Sequence, residues 1–321
     1  NARKNTYVVG NIGVAVISKA LDAEEGDWLI TETSSFQLQT VKYFKPVVSA
    51  ILNITPDHLN RHHTMENYGL AKANVFMNQD ETGYCIINAE DEMCVKLAQN
   101  AKPQVILFSS VRELKKGAFV KDGILVIADG EKTVELCRAD ELKIIGKHNV
   151  ENALAAAAIA YFAGIEPEII GTTLRNFAGV AHRIEYCGMA DGVKFYNDSK
   201  GTNIDATVTA LNAIGKDIIL IAGGDGKGQD FSQLIESFDG RVKHMVLIGK
   251  DGPKIAEAAD NAGFKDYSYG ANMQECVKKA VEIAEPKDTI LLSPACASWD
   301  MYDNFEQRGD HFRELVARLG N

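Results

Sequence analysis

The chain has 321 residues, with 34 basic and 44 acidic side chains and a formal net charge of −10. That length accommodates about two domains at roughly 100–200 residues each, and the acidic surplus argues against the basic footprint of a nucleic-acid binder. No apolar run reaches the roughly 18 residues of a membrane-spanning helix. Six scattered cysteines without a CxxC pair exclude a disulfide framework and fit a reducing cytoplasm.

The first residue is Asn1 rather than methionine, and Tyr7-Val8-Val9-Gly10 already reads as a strand running into a glycine turn. The expectation is a chain entered in mid-fold. Short β-branched runs at 28–31, 48–52, 84–87 and 105–108 read as buried strands. Helical stretches fall at 70–78 and 91–99. From Phe119 to Leu142 the pattern changes to short alternating pieces, 124–127 and 134–136, expected to form a small mixed or antiparallel insert. An Ala-rich helix follows from Val150 to Phe162. A boundary near Val180 divides the chain into domains 1–179 and 180–321. Beyond it, strands at 194–196, 218–221, 245–248 and 289–292 alternate with helices, and a last helix runs from about Asn304 to Leu319. Such alternation predicts a mostly parallel sheet covered on both faces, with ligands at the carboxyl ends of its strands.

Polar clusters fall at those strand ends. Glu32-Thr33-Ser34-Ser35-Phe36-Gln37 follows the strand at 28–31, and Asn53-Ile54-Thr55-Pro56-Asp57-His58 follows the strand at 48–52. A carboxylate after a strand is ordinarily a helix cap, but two polar clusters leaving neighbouring strands suit a magnesium site completed by phosphates. Zinc is disfavoured, since no cysteine or second histidine is spaced to close a tetrahedron. The tandem His62 and His63 read as solvated loop residues. Lys72, on a helical stretch, reads from the residues alone as a surface lysine. Asn149 reads as the cap of the Ala-rich helix, with Asn152 one turn on; amide recognition of a purine edge is the alternative.

The second half opens with His182-Arg183-Ile184-Glu185, and then Asn197-Asp198-Ser199-Lys200-Gly201-Thr202 follows a strand and precedes a helix, an arrangement suited to an anion. Gly223-Gly224-Asp225-Gly226-Lys227 repeats the theme. The segment Ser293-Pro294-Ala295-Cys296-Ala297-Ser298-Trp299 continues to Asn304-Phe305-Glu306. Cys296 lacks the partners of a catalytic thiol and reads as a buried small residue. The phosphate-loop pattern GxxxxGK[ST] occurs nowhere in the 321 residues.

From Gly10-Asn11-Ile12-Gly13 to the last helix, these segments together resemble the Mur ligases, ATP-dependent enzymes of peptidoglycan precursor synthesis. Glu32 to Leu38 and Ser293 to Ser298 with Asn304-Phe305-Glu306 favour the D-glutamate-adding type over the L-alanine, diamino-acid and dipeptide-adding types. The resemblance implies a central ATPase domain and a Rossmann-like C-terminal domain. It implies ATP phosphorylation of the carboxylate of UDP-N-acetylmuramoyl-L-alanine, then attack by the D-glutamate amine on the acyl phosphate. Residue by residue, it makes Glu32 and His58 magnesium ligands, with Lys72 carbamylated and completing that site. His58 also lies by the reacting carboxylate, Lys200 and Thr202 belong to the loop facing the active centre, and Asn149 and Asn152 lie at adenine. Arg183 and Asp198 contact the nucleotide from the second domain. Asn11 and Ser35 contact the uridine-nucleotide substrate, while Lys227, Ser298 and Phe305 serve the D-glutamate end. The family's uridine-nucleotide domain and phosphate loop have no counterpart here. The chain is therefore expected to be incompetent alone, and otherwise a cytoplasmic monomer without nucleic-acid or membrane partners. A folylpolyglutamate synthase-like ligase and a non-catalytic binding fragment are the competing readings.

Overall fold

The computed structural model describes residues 2, 5–130 and 132–319. The chain divides into two compact units, one of residues 1–143 with 147–177 and the other of 144–146 with 178–321.

The first unit begins with β1 (Thr6–Gly10), α1 (Val16–Ala20), β2 (Trp28–Glu32) and α2 (Ser35–Leu38). Strands β1 and β2 pair in parallel as a two-stranded sheet. Gly10 is forced here: its φ is +114°, and a Cβ would stand 2.1 Å from the Glu32 carbonyl oxygen. Next come β3 (Val48–Ile51), α3 (Leu59–His62), α4 (Met65–Ala73), β4 (Tyr84–Asn88), α5 (Glu92–Ala98) and β5 (Gln104–Ser109). The unit then adds β6 (Gly117–Lys121), β7 (Ile124–Ala128), β8 (Thr133–Arg138), α6 (Lys147–Phe162) and α7 (Pro167–Asn176). Its six-stranded sheet has the order β3-β4-β5-β6-β7-β8. The first four strands are parallel and the last two antiparallel. The expected antiparallel insert is thus the continuation of the main sheet, joined through β6.

Three expectations change. Strands β2 and β3 belong to different sheets, so the polar clusters after them do not leave neighbouring paired strands. Helix α4 starts at Met65 rather than Leu70, because the Thr64 hydroxyl accepts the Asn67 N–H at 3.1 Å and caps it. Helix α6 starts at Lys147, so Asn149 lies inside the first turn rather than capping it, and the Asn152 amide donates to its Oδ1 at 3.3 Å.

The second unit holds β9 (Glu185–Ala190), β10 (Val193–Asn197), α8 (Ile204–Ile214), β11 (Ile218–Gly223), α9 (Ser232–Glu236) and β12 (Val242–Ile248). These are followed by α10 (Gly252–Asn261), β13 (Tyr267–Tyr269), α11 (Met273–Ile283), β14 (Thr289–Leu292) and α12 (Phe305–Ala317). The sheet order is β13-β12-β11-β14-β10-β9, parallel except for β9. The period of two along a strand divides the core between its faces. Ile218, Leu220 and Ala222 pack with α8, α9 and α10. Ile219 and Ile221 pack with Met273, Val277, Phe312 and Leu315 from α11 and α12. Burial on both faces explains why the central strands read as unbroken apolar runs. The edge strands β9 and β13 lack that signal.

Candidate active site

In the first unit the segments after β2 and β3 meet through side chains. The Phe36 ring lies 4.8 Å from that of His58 and stacks on His62 at 5.7 Å with planes 9° apart. Tyr68 on α4 completes the cluster: His62 lies 5.2 Å and His58 6.4 Å from its ring, and the Lys72 ammonium sits over it at 5.1 Å. One tyrosine thus collects His58 and Lys72.

His62 is not the solvated residue expected from its tandem with His63; it is buried. Its ring joins a directed chain. The Arg61 Nε donates to Gln39 Oε1 at 3.1 Å. That leaves the Gln39 amide nitrogen to donate to His62 Nδ1 at 3.4 Å, so the ring proton sits on Nε2 and is donated to Ser35 Oγ at 3.0 Å. Burial, assisted by the charge of Arg61, pushes the imidazole's pKa below its ordinary value and keeps it neutral. The Ser35 hydroxyl consequently accepts from His62 and has its own proton to give elsewhere.

Glu32 is exposed at the end of β2, and its carboxylate has no hydrogen bond or ion pair among the described residues. His58 has a left-handed backbone (φ 53°), its N–H donates to Asp57 Oδ1 at 2.7 Å, and its Nε2 stands 3.4 Å from Asp57 Oδ2. Among the described residues no group of three His, Cys, Asp or Glu can hold a metal. A free carboxylate and an imidazole are nonetheless donors that fit magnesium, which takes one or two protein ligands and completes its shell with water and phosphate oxygens. Lys72 as an ammonium does not fit that shell; as a carbamate it does. Asn11 is exposed in the turn after β1, its N–H held by the Glu32 carbonyl at 2.8 Å.

In the second unit the site residues cluster at the carboxyl ends of β10, β14 and β11, which are adjacent in the sheet. After β10, Asp198 is buried; it accepts the Ser293 hydroxyl at 2.7 Å and the Ile184 N–H at 3.2 Å. Loss of solvation pushes its carboxyl up to about 6 despite those bonds. Arg183, next to Ile184, is exposed and lends positive potential to the same carboxylate. Gly201 closes over this pair, since a Cβ there would stand 2.5 Å from Asp198 Oδ2 and 2.9 Å from Ser293 Oγ. The Thr202 N–H donates to the Lys200 carbonyl at 2.9 Å, and the Lys200 ammonium lies over the Phe305 ring at 5.6 Å.

After β11, the turn carrying Lys227 is stitched to the segment carrying Ser298. Asp225 and Ala297 exchange backbone hydrogen bonds, both 2.9 Å. The Ser298 side chain is buried. Arg308 of α12, which falls in the segment after Phe305 but carried no role in the sequence, ties the loops together. Its Nε donates to Ser199 Oγ at 2.9 Å, its Nη2 to the carbonyls of Ser199 (2.8 Å) and Cys296 (3.1 Å), and Ser199 Oγ donates to the Phe305 carbonyl at 2.8 Å. No sequence pattern marks an arginine inside an amphipathic helix as buried. Cys296 is buried as expected, its thiol pushed up to about 12 by desolvation.

Comparison with known proteins matches these features. The Mur ligase middle domain matches residues 3–160, and the "Mur ligase, glutamate ligase domain" matches residues 182–296. The chain belongs to the Mur ligase family, enzymes that form amide bonds at the expense of ATP. Within it, the chain is 50% identical over 318 residues to the UDP-N-acetylmuramoylalanine–D-glutamate ligase of Alkaliphilus metalliredigens, covering 99% of this chain and 70% of that one. It is 46% identical over 318 residues to the ligase of the same name from Clostridioides difficile, with the same coverages. Among solved structures, MurF from Acinetobacter baumannii superposes with a TM-score of 0.69 at 18% identity, covering 99% of this chain and 77% of that one. MurF from Thermotoga maritima in complex with ADP gives 0.66 at 15% identity, over 98% and 75%.

Proposed function

We propose that this chain carries the catalytic centre and amino-acid pocket of a ligase that joins D-glutamate to UDP-N-acetylmuramoyl-L-alanine. The observation that carries the reading is the convergence of Lys200, Thr202, Lys227, Ser298 and Phe305 at three adjacent strand ends. Two lysine ammoniums lie there over aromatic rings, next to a buried serine. The names of relatives at 46–50% identity agree with it. An acidic amino acid is the ligand that such a pocket suits, with Lys227 taking the side-chain carboxylate. The domain 1–179 is the ATP-binding part and 180–321 the amino-acid part.

In this reading the Ser35 hydroxyl, aimed by His62, and Asn11 hold the uridine-nucleotide substrate. Asn149 and Asn152 take the adenine edge, Arg183 and Asp198 contact the nucleotide from their own domain, His58 serves the reacting carboxylate, and Lys200 belongs to the loop that faces the active centre. Glu32 and His58 would hold magnesium, whose chemistry is to screen the carboxylate and phosphate that must approach one another. Lys72 would join them as a carbamate: its neutral amine bonds the carbon of CO₂ and its proton leaves to solvent. Intact mass in bicarbonate should then show one added CO₂, absent in Lys72→Arg; a CO₂ adduct missing from the parent, or present equally on both proteins, would end that assignment.

The 321 residues contain no GxxxxGK[ST] loop to cradle the ATP phosphates. Oriented amides and a lysine at that position supply several kcal/mol of phosphate stabilisation. The chain alone is therefore an incompetent ligase. Purified chain given ATP, magnesium, UDP-N-acetylmuramoyl-L-alanine and D-glutamate should release no D-glutamate-dependent ADP. Such release above the rate without D-glutamate would refute this.

A further inference from the structure

Lys227 differs from its neighbours in how its charge is held. Lys250 pairs with Asp225 at 3.1 Å and Lys254 with Asp251 at 2.7 Å. Those carboxylates are also engaged by backbone: Asp225 Oδ1 accepts the Lys227 N–H at 3.0 Å, and Asp251 Oδ2 accepts the Gly226 N–H at 2.7 Å. The Lys227 ammonium pairs with no carboxylate among the described residues; it lies over the Trp299 ring, 4.9 Å from its centroid. Trp299 is 67% exposed, so core packing does not explain a large aromatic there. The double backbone bond between Asp225 and Ala297 fixes the turn of Lys227 against the segment of Trp299.

A carboxylate partner would orient a lysine and also neutralise it. The face of an indole orients the cation through its quadrupole and leaves the charge uncompensated. Two ammonium N–H groups stay available to an anion. We infer that Trp299 is a positioning residue: its ring holds the Lys227 ammonium aimed and un-neutralised for the side-chain carboxylate of an acidic amino acid. The inference rests on the D-glutamate reading of this pocket. Pre-organisation of this kind spares the ligand the ordering of a four-bond side chain.

An exposed cation–π contact is worth ~0.5–1 kcal/mol, which converts to a two- to fivefold change in a dissociation constant at about 1.4 kcal/mol per tenfold. The chain has two tryptophans, Trp28 and Trp299, so W28F leaves Trp299 as the sole indole reporter. In that background K227M should alter Trp299 emission, and D-glutamate should alter it saturably in the parent but not in K227M. By calorimetry on the 321-residue chain, W299A should bind D-glutamate two- to fivefold more weakly than parent. W299F, which keeps a π face, should recover most of that loss. Trp299 is largely exposed, so W299A should stay folded, checked by circular dichroism. D-glutamate binding that W299A leaves unchanged, or a K227M substitution that leaves Trp299 emission unchanged, overturns the role of Trp299 and leaves the pocket standing. No D-glutamate binding to the parent overturns the pocket reading, and this inference with it.

Discussion

Arg308 is the most instructive residue to remove, because opposing effects of similar size meet there. Its guanidinium is buried, with Nη1 lacking a hydrogen-bond partner among the described residues. Burial pulls its pKa from 12.5 down to about 10, a cost of about 3 kcal/mol at ~1.36 kcal/mol per pKa unit. Against this stand three hydrogen bonds from a cationic donor, worth roughly 1.5–3 kcal/mol each. Arg308→Met fills similar volume and relieves the desolvation, but it strands the carbonyls of Ser199 and Cys296. The balance is a net loss of ~3 kcal/mol. Native-state hydrogen exchange on peptides from β11 and β14 reads this in the second unit alone, and protection there should fall roughly 100-fold. Arg308→Lys keeps the charge with one nitrogen and should fall between. Protection in Arg308→Met equal to or above the parent would refute the idea that the clamp outweighs its burial cost.

Asp198 should make stability fall as pH rises. Its folded carboxyl titrates at about 6 against 3.8 for the free group, so the native state binds the extra proton and the penalty grows from pH 4 to pH 6, then levels. The difference in unfolding free energy between parent and Asp198→Asn should shift by about 3 kcal/mol against the parent over that window; a difference independent of pH would contradict it. Gly201→Ala should cost about 1–3 kcal/mol, because its Cβ cannot coexist with the buried Ser293–Asp198 bond, and urea midpoints within error of the parent would dispose of that argument. His62→Phe keeps the stack on Phe36 but ends the chain from Arg61 to Ser35. It should leave the Ser35 hydroxyl without its donor and spread that side chain over more than one rotamer. One unchanged rotamer in a high-resolution structure would show the chain to be dispensable.

The central strands were legible because both their faces are buried and the code is simply apolar and β-branched. Ile218 to Ile221 and Ile290 to Leu292 needed no periodicity to be recognised. The edges of the second unit's sheet were not legible, since β9 (a mix of half-buried and exposed residues) and the three-residue β13 carry too little apolar signal. Sequence order also misled about neighbours, suggesting that β2 and β3 adjoin, whereas the strands lie in different sheets and the segments after them meet through side chains of Ser35, Phe36, Gln39, Arg61 and the histidines. Lys227 and Ser298 fell in clusters that follow strands, which is weak evidence by itself; the resemblance to the Mur ligases is what singled them out. His62, Arg308 and Trp299 could not be picked out. Their roles arise from which ring, carbonyl or cation they face across 27 residues, across more than a hundred, or from position 227 to 299, and no local spacing encodes that.

The most direct test of the account is a calorimetric panel on the 321-residue chain with D-glutamate, L-alanine, meso-diaminopimelate and D-alanyl-D-alanine. A pocket built on Lys227, Ser298 and Phe305 predicts saturable binding of D-glutamate that Lys227→Met abolishes, and at least tenfold weaker binding of the other three. Preference for any other member of the panel, or D-glutamate binding indifferent to Lys227, would contradict the assignment.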